Sequence, residues 1–324
     1  MNDSSAEPAS GRQPGSVSES REESALGGRK VGVFGKGGAG KSTVTVLLAR
    51  ALADMGRHVT VLDADSTNVG LAAALGAEDS PELLMEHMGG LVFSGGSLTC
   101  PVDDPTPLSR PDLHLEDLPG EYVARIDENL TLLVGGKMGH LGPGAGCDGP
   151  IAKIARDVRV WKNGNQPLLL VDFKAGFEDS ARGVLTGLDL ALVVVDPTTA
   201  AVGMAVHLQK MVERMRRGDA PATAHLETPE LVRVAEDVFR NARIRRVGAI
   251  LNRVPDEETE SYLRQRLEEE GGPPVLGVIP EERPLQTRWL RGEALEPGRG
   301  EGSVHPLARS LVRALEEEFA PGPA

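Results

Sequence analysis

Short runs of apolar residues recur along the chain from about residue 30 onward, and amphipathic stretches with helical spacing separate most of them. Continuous apolar runs are typical of strands buried on both faces, and the stretches between them are typical of helices that cover a sheet. The predicted strands are 31–34, 58–62, 130–134, 168–171, 190–195, 246–251 and 275–279. Their alternation with helices predicts an α/β fold, a doubly wound and mostly parallel sheet with helices on both faces.

Two segments depart from this alternation. Residues 1–28 are rich in Ser, Glu, Gly and Pro, so burial cannot offset the entropy of ordering them, and we predict a disordered tail. Residues 78–128 contain several Pro and Gly with weak periodicity, and they are too many for an ordinary connection. We predict a single domain over residues 29–320 that carries an irregular, partly helical insertion at about 78–128. Helices are predicted at 42–55, 151–161 and 304–319.

A glycine-rich motif joins the first predicted strand to the first predicted helix, and it consists of Gly35, Lys36, Gly37, Gly38, Ala39, Gly40, Lys41, Ser42 and Thr43. The motif fits the phosphate-binding P-loop, in which glycines let backbone N–H groups reach phosphate oxygens. The positive N-terminal end of the next helix would face the same phosphates. Lys41 would reach the β- and γ-phosphates, and the Ser42 hydroxyl would bind Mg²⁺. The motif therefore predicts a nucleotide-binding protein.

Acidic residues follow three of the predicted strands. Asp63 and Asp65 follow strand 58–62, Asp172 follows strand 168–171, and Asp196 follows strand 190–195. Ligands of a doubly wound sheet bind beyond the carboxyl ends of its strands, so these acids are expected beside the phosphates. Asp172 fits the carboxylate that holds Mg²⁺ through water. Acids at the start of loops are also common as helix N-caps, and that alternative stays open for all three strand ends.

The strand at 246–251 is followed by Asn252-Arg253-Val254-Pro255-Asp256. GTP-binding P-loop proteins carry Asn-Lys-x-Asp there, and its Asp reads the guanine edge. The acid comes one residue too late in this chain, which favours ATP over GTP.

Composition limits the function further. The 324 residues have a formal net charge of −13, which disfavours nucleic acid as a partner. The sequence has no run of 18 apolar residues, so we expect no membrane span. An apolar signal region is missing from the N-terminus, and Cys100 and Cys147 are the two cysteines. These features predict a cytoplasmic protein without a disulfide framework.

The second lysine of the glycine-rich motif, Lys36, makes it resemble the deviant P-loop of the MinD/ParA class of ATPases. The resemblance covers about residues 30–318 and implies ATP hydrolysis in a homodimer bound through ATP. In that class the extra lysine reaches the partner's phosphates, so Lys36 would act in trans. Asp63 and Asp65 resemble the switch I acids, which implies that Asp63 helps to hold Mg²⁺ and that Asp65 orients the attacking water.

The resemblance also covers the base end of the nucleotide. Asn252 resembles the adenine-contacting asparagine of the class, and the run at 274–280 has the look of the family, with Pro280 at its end. We therefore expect Asn252 and Pro280 beside the base.

One branch of the class fits best, the CooC-type ATPases, which load nickel into carbon monoxide dehydrogenase and acetyl-CoA synthase. Residues 172–183 and 188–197 look like its switch II region, and Gly146-Cys147 follows a glycine-rich stretch as it does in that branch. The resemblance implies a maturation factor with a metalloenzyme client. It also implies Ni²⁺ or Zn²⁺ at a dimer interface, bound by Cys147.

Two positions depart from the branch. CooC proteins carry Cys-x-Cys and gather four thiolates in a dimer, whereas Cys147 is followed here by Asp148 and Gly149. Asp148 or His140 would have to complete the coordination, or else Cys147 is an ordinary cysteine. Lys174 stands where the branch has an acid, and Cys100 has no assigned role.

Three rival functions have different requirements. A membrane-bound positioning ATPase of the MinD type needs a basic C-terminal helix, but helix 304–319 has an acidic end. An iron–sulfur reductase needs a cysteine soon after Asp172, and none is present there. A nucleotide-binding module without hydrolysis is disfavoured because Lys36, Lys41, Ser42, Asp65 and Asp172 occur together. A positioning or partner-regulating ATPase without metal cargo remains the alternative to a maturation factor.

Overall fold

A computed structural model describes residues 25–92, 95–137, 148–177, 182–295 and 305–320. Its strands are β1 (Lys30–Gly35), β2 (Val59–Ala64), β3 (Asp112–His114), β4 (Ala124–Arg125), β5 (Leu130–Val134), β6 (Arg159–Trp161), β7 (Leu168–Phe173), β8 (Leu190–Val195), β9 (Arg246–Val254) and β10 (Val275–Pro280). Eight of them form a sheet in the order β10-β9-β8-β1-β7-β2-β5-β4. All neighbours pair in parallel except β4, which is antiparallel to β5. The seven predicted strands are its parallel members, so the predicted fold class is confirmed.

Helices cover this sheet. They are α1 (Lys41–Asp54), α2 (Leu71–Leu75), α3 (Leu84–His87), α4 (Gly149–Asp157), α5 (Thr199–Arg216), α6 (Pro229–Arg240), α7 (Glu257–Glu269), α8 (Arg283–Arg291) and α9 (His305–Phe319). The prediction of one helix over 151–161 was wrong at its C-terminal end. Val158 adopts an extended conformation, and the chain continues as β6, which pairs in parallel with β3.

Apolar side chains form a packed layer on each face of the sheet. On one face α1 and α9 bury Val44 and Leu311, and on the other α4 buries Ile154. Between β1 and β7 the rings of Phe34 and Phe173 stack with their centroids 4.6 Å apart. Burial on both faces explains why the strands are continuously apolar in sequence.

The tail predicted over residues 1–28 and the insertion predicted at about 78–128 both include residues that pack against the rest of the fold. Leu26 is 1% exposed, and the Gly28 N–H donates to the Gln166 carbonyl oxygen at 2.9 Å. Leu26 and Gly28, which the prediction placed in the tail over residues 1–28, are therefore part of the packed fold. In the stretch 78–128, α3, β3 and β4 are short, and buried side chains such as Leu98 and Leu115 pack in the same layer as α4.

Strand register brings the predicted acids to one edge of the sheet. Asp172 on β7 lies opposite Val33 on β1 and opposite Asp63 on β2. Asp196 follows β8, which pairs with β1 as far as Gly35. The acids and the glycine-rich motif therefore meet at the carboxyl ends of the central strands, as expected for a ligand site in this fold.

The opposite end of β1 begins with a buried cation. Lys30 is 3% exposed, and its Nζ donates to the carbonyl oxygens of Ala155 and Arg156 at 3.0 and 2.8 Å. Burial lowers the pKa of Lys30 to about 7, and the charges of Arg243 and Arg159 lower it while those of Asp157 and Asp189 raise it.

We predict that Lys30 makes folding stability rise with pH. Between pH 7 and 10.5 the unfolded chain holds a proton on Lys30 that the folded chain has lost, so the free energy of unfolding increases through this window. Relative to a Lys30→Met variant, the wild type should gain about 2 kcal/mol between pH 7 and pH 9. Urea unfolding of both proteins at the two pH values measures this difference. A difference that does not change with pH would contradict the prediction.

Candidate nucleotide-binding site

The glycine-rich motif forms the loop between β1 and α1, and its backbone needs glycine at two positions. Gly38 has φ +81° and Gly40, the N-cap of α1, has φ +90°. L-residues with side chains rarely adopt this left-handed region. A Cβ atom at Gly40 would also lie 2.2 Å from Asn252 Nδ2, so the end of β9 leaves no room for one.

Three hydrogen bonds from other segments hold the carbonyl groups of this loop. Asn252 Nδ2 donates to the Ala39 oxygen at 2.7 Å, and Arg253 Nη1 donates to the Gly38 oxygen at 2.7 Å. The backbone N–H of Gly176, beyond β7, donates to the Gly35 oxygen at 3.3 Å. Because its carbonyls are bound from outside, the loop keeps a fixed shape, and the N-terminal end of α1 is available for an anion.

Ser42 and Asp172 lie together at the base of the loop. Ser42 Oγ donates to Asp172 Oδ2 at 2.7 Å, and Thr45 Oγ1 donates to Asp172 Oδ1 at 3.2 Å. Asn68 Nδ2 donates to Ser42 Oγ at 2.9 Å. Hydroxyl and carboxylate oxygens are ligands that Mg²⁺ prefers, so the residues present at this position fit the ion.

Two buried acids border this position. Burial raises the pKa of Asp172 to about 6, although the hydrogen bond from Ser42 and the charge of Lys41 oppose the rise. Burial raises the pKa of Asp63 to about 7, opposed by Lys137 and increased by the neighbouring Asp172 carboxylate. A divalent cation would relieve the repulsion between these carboxylates.

The two switch I acids have different surroundings. Asp63 Oδ2 accepts a hydrogen bond from Lys137 Nζ at 2.6 Å, and the same ammonium donates to the Asp65 carbonyl oxygen at 2.6 Å. The Asp65 carboxylate lines the cavity beside the loop and accepts from the N–H and the hydroxyl of Thr67 at 2.9 and 2.7 Å. Asp63 as a holder of Mg²⁺ and Asp65 as the residue that orients water remain predictions.

The two lysines of the loop also differ. Lys41 is 7% exposed and lines the cavity. Lys36 Nζ lies 3.5 Å from Asp196 Oδ2, and its side chain is 36% exposed. The hydroxyl of Thr198, the N-cap of α5, donates to Asp196 Oδ1 at 2.6 Å. Action of Lys36 in trans would require it to leave Asp196.

A cavity of about 520 Å³ opens over the loop. At its phosphate end lie Gly37, Gly38, Gly40, Lys41, Ser42 and Thr43, and at its other end lie Asn252, Arg253, Ile279, Pro280, Glu282, Leu285, Gln286 and Trp289. Trp289 Nε1 donates to Thr43 Oγ1 at 2.8 Å, which ties α8 to α1. A glycine-rich end that carries the cation of Lys41 and an end that mixes apolar with polar side chains suit a nucleotide.

Cys147 and His140, the predicted metal-binding candidates, lie outside the described residues. Asp148 is described, and its carboxylate lies 2.5 Å from Lys174 Nζ. Burial acts to raise the pKa of Asp148, but hydrogen bonds from Lys174 and Ser66 and the charges of Lys174 and Arg182 together hold that pKa below its usual value. Across the described ranges, no group of three His, Cys, Asp or Glu side chains could hold a metal ion.

The side chain of Cys100 occupies the space beside Gly149. A Cβ atom at Gly149 would lie 2.3 Å from Cys100 Sγ. The thiol from the 78–128 stretch therefore fills the place that a side chain at position 149 would need. The sequence alone assigned no role to Cys100, because the two positions are far apart along the chain.

A family model described as the CobQ/CobB/MinD/ParA nucleotide binding domain matches residues 32–295. The chain belongs to this family. The resemblance to the MinD/ParA class is thereby confirmed, and this family member is a MinD/ParA-family ATPase.

Known proteins support the same assignment. An uncharacterized ATP-binding protein of Methanocaldococcus jannaschii is 28% identical to this family member over 268 residues, 82% of the chain and 93% of the relative. Carbon monoxide dehydrogenase accessory protein CooC of Rhodospirillum rubrum is 33% identical over 187 residues, 56% of the chain and 67% of CooC. The likeness to CooC is thus confirmed. The septum site-determining protein MinD of Pyrococcus horikoshii, solved with Mg-ADP, has a TM-score of 0.57 and 20% identity, covers 90% of the chain and 98% of MinD, and supports the fold.

Sequence reasoning missed four side chains at the candidate site of this family member, namely Asn68, Lys137, Arg253 and Trp289. None belongs to the glycine-rich motif, and each contacts it or the switch I acids through the tertiary structure. Arg253 was next to a predicted residue, which is the one signal that could have drawn attention to it.

Over the described residues, no helix is long and apolar enough to cross a membrane.

We predict that Gly40→Ala destabilises the protein more than Gly38→Ala does. Both substitutions place a side chain at positive φ, but a Cβ at Gly38 meets no atom within 4 Å, whereas one at Gly40 meets Asn252. Overpacking of this kind costs about 1–3 kcal/mol in the free energy of unfolding. Urea unfolding without nucleotide measures the difference, and adding Asn252→Ala should reduce it. Equal destabilisation by the two glycine substitutions would refute the steric explanation.

Proposed function

We propose that this family member is a Mg²⁺-dependent ATP hydrolase that switches by forming a homodimer through ATP and that serves as a CooC-like maturation factor for a metalloenzyme. The observation that carries the proposal is the hydrogen-bonded pair of Ser42 and Asp172 beneath a loop whose carbonyls are held from outside. Such an arrangement provides anchored N–H donors for phosphates together with oxygen ligands for the metal ion.

The residues of the site have distinct roles in this proposal. The loop from Gly35 to Thr43 and the side chain of Lys41 bind the phosphates, and Asn252 and Pro280 bind the base. Ser42, Asp172 and Asp63 hold Mg²⁺, which would supply positive charge against the phosphate oxygens. Asp65 orients the attacking water, and Thr67 keeps its carboxylate in one orientation through two hydrogen bonds.

Dimerisation explains the partial exposure of Lys36. In one chain it forms a 3.5 Å ion pair with Asp196, and such partly exposed pairs contribute little to stability. The triphosphate in a partner's site carries more negative charge than one carboxylate. Lys36 can therefore exchange Asp196 for the partner's phosphates at small cost, and the ATP hydrolysis rate then depends on the dimer.

For the metal cargo, we propose that Cys147 and Cys100 act together. The CooC branch has its second cysteine two residues after the first, and that position is Gly149 here. Cys100 Sγ lies 2.3 Å from the place of a Cβ at position 149, so a sulfur is present close to where the side chain of a cysteine at 149 would lie. Two thiolates from each chain would give a dimer four, the number that suits Zn²⁺. In this proposal Asp148 is not a ligand, because it is bound to Lys174.

The ion pair between Asp148 and Lys174 also supports the alternative function. Lys174 lies in the switch II region, and this pair connects it to the start of α4 without any metal. A partner-regulating ATPase could use that connection to signal its nucleotide state to another protein.

We predict that Lys36→Ala leaves ATP binding intact but slows hydrolysis, whereas Lys41→Ala abolishes tight binding. Mixing the two variants should restore part of the activity, because the Lys36→Ala site keeps its own Lys41 and receives Lys36 from the other chain. Phosphate release from equimolar mixtures measures the recovery. The matched control replaces the Lys41→Ala chain with one that carries both substitutions and should give no recovery. Mixed dimers without recovered activity would argue against action in trans.

We predict that Asp65→Asn traps ATP and the dimer, because the amide keeps the size of the carboxylate but loses its charge. The trapped dimer should bind close to one Ni²⁺ or Zn²⁺, measured by elemental analysis after gel filtration. Cys147→Ser and Cys100→Ser should each lower the bound metal sharply in this background. A trapped dimer that binds no metal, or binds it equally well without Cys147, would favour the partner-regulating ATPase.

A further inference from the structure

A second cavity, of about 490 Å³, lies at the amino-terminal edge of the sheet. Lys30, at the start of β1, lines it, whereas the glycine-rich loop begins at the other end of β1. The cavity lies between α6 and the C-terminal end of α4, and it shares no lining residue with the cavity over the loop. Its volume is within the range of cavities that bind small molecules.

Positive charge is in excess among the side chains that line this cavity. The four cations are Lys30, Arg156, Arg159 and Arg243, and the two acids are Asp157 and Asp237. Lys30 and Arg156 are 3% and 4% exposed and form the floor, while Arg159 and Arg243 are exposed at the mouth. In a chain whose formal net charge is −13, a local excess of cations around a cavity indicates an anionic ligand.

The acids around the cavity are already paired with arginines. The close pairs are Asp157 with Arg156, Asp112 with Arg159, and Asp237 with Arg240. Each of these arginines therefore has its own carboxylate. The remaining excess belongs to Lys30 and Arg243.

Neutral groups hold the ammonium of Lys30. Its Nζ donates to the carbonyl oxygens of Ala155 and Arg156 at 3.0 and 2.8 Å, so these two hydrogen bonds supply no negative charge. Burial lowers the pKa of Lys30 to about 7, and an anion in the cavity would favour its charged form.

The guanidinium of Arg243 is fixed at the mouth of the cavity. Its Nη2 donates to the Gly187 carbonyl oxygen at 2.7 Å. Asp189 Oδ2 lies 3.6 Å from Arg243 Nη2, but Asp189 Oδ1 also pairs with Arg29 Nη1 at 3.8 Å. One carboxylate cannot neutralise two arginines, so positive charge remains available to a ligand.

Apolar side chains form the rest of the wall. Val234 and Val238 of α6 line the cavity, together with Pro107 and Pro111 from the stretch before β3. Both valines are half-buried, and of the twelve residues of α6, all of them described, only Ala235 is buried. The apolar face of α6 is therefore not fully covered by the protein and can contact a ligand.

We propose that this cavity binds a small organic anion, a carboxylate or a phosphate monoester with an apolar group. Its charged oxygens would contact Lys30 and Arg243, because ammonium and guanidinium groups both bind such oxygens. Its apolar group would contact Val234 and Val238. The site is independent of the proposed ATP site, since it lies at the opposite edge of the sheet.

Calorimetry with three probes that share a benzene ring tests the proposal. Phenyl phosphate and phenylacetate represent the two sources of negative charge, and benzyl alcohol is their neutral counterpart. At about pH 6.5, where Lys30 is mostly charged, at least one of the two anions should bind saturably and the alcohol should not. The tighter anion identifies the charged group. Equal binding of the alcohol, or no saturable binding of either anion, would overturn the proposal.

Substitutions locate the bound anion. Arg243→Gln and Lys30→Met should each weaken it about tenfold, as expected for the loss of one charge-assisted hydrogen bond. Arg243 is exposed, so its substitution tests the site even where Lys30→Met is destabilised. The matched control, Arg245→Gln, removes the same charge two residues away from a side chain that does not line this cavity, and should change affinity less than about twofold.

Lys41→Ala distinguishes this cavity from the glycine-rich loop, which could also accept phenyl phosphate. Anion binding should be unchanged in Lys41→Ala, because Lys41 lies at the other edge of the sheet. Loss of binding in this variant would place the probe in the loop and overturn the proposal. Equal weakening by Arg243→Gln and Arg245→Gln would overturn it as well, since the anion would then respond to overall charge.

Discussion

The close contact between Gly40 and Asn252 is the constraint on which the nucleotide site depends. The first residue before α1 and the end of β9 share a space too small for one more carbon atom. Asn252 uses that proximity to bind the Ala39 carbonyl, and Arg253 binds the next carbonyl along. The shape of the phosphate loop is therefore a property of the whole sheet, since β9 is separated from β1 by β8.

Charge balance at the carboxyl edge of the sheet is the second organising feature. Asp63 and Asp172 lie opposite each other in register and are both buried, which raises their pKa values. Lys137 and the Ser42 hydroxyl offset part of the free-energy cost of burying these carboxylates, because each forms a direct hydrogen bond with one of them. Lys137 also binds the Asp65 backbone, so the same cation that neutralises one acid positions the segment that carries the other. Binding of a divalent ion would change this balance, and the switch I segment is the part of the chain directly connected to it.

The contacts of α4 link the two sites of the proposed function, the ATP site and the thiol site. Its N-terminal end contacts switch II through Asp148 and Lys174, and Gly149 packs against Cys100. Its C-terminal carbonyls accept hydrogen bonds from Lys30 at the start of β1. A short helix thus connects the first strand, the segment that follows β7 and a thiol. The likeness to CooC and these contacts of α4 support the proposal that the nucleotide bound at the loop affects the region around Cys100.

The sequence by itself determined the parallel sheet, its seven main strands and the phosphate loop. These depend on local features, namely the apolar runs and the spacing of glycine and lysine. Such patterns predict an element even when its tertiary contacts are unknown. Tertiary structure decided where α4 ends, because β6 pairs with a strand from the 78–128 stretch. It also decided which other side chains form the site. Asn68, Arg253 and Trp289 contact the loop, and Lys137 contacts Asp63 and Asp65. Only the tertiary structure shows that Cys100 lies close to Gly149. The two residues are 49 positions apart, and a contact over that distance has no effect on the local pattern of apolar residues.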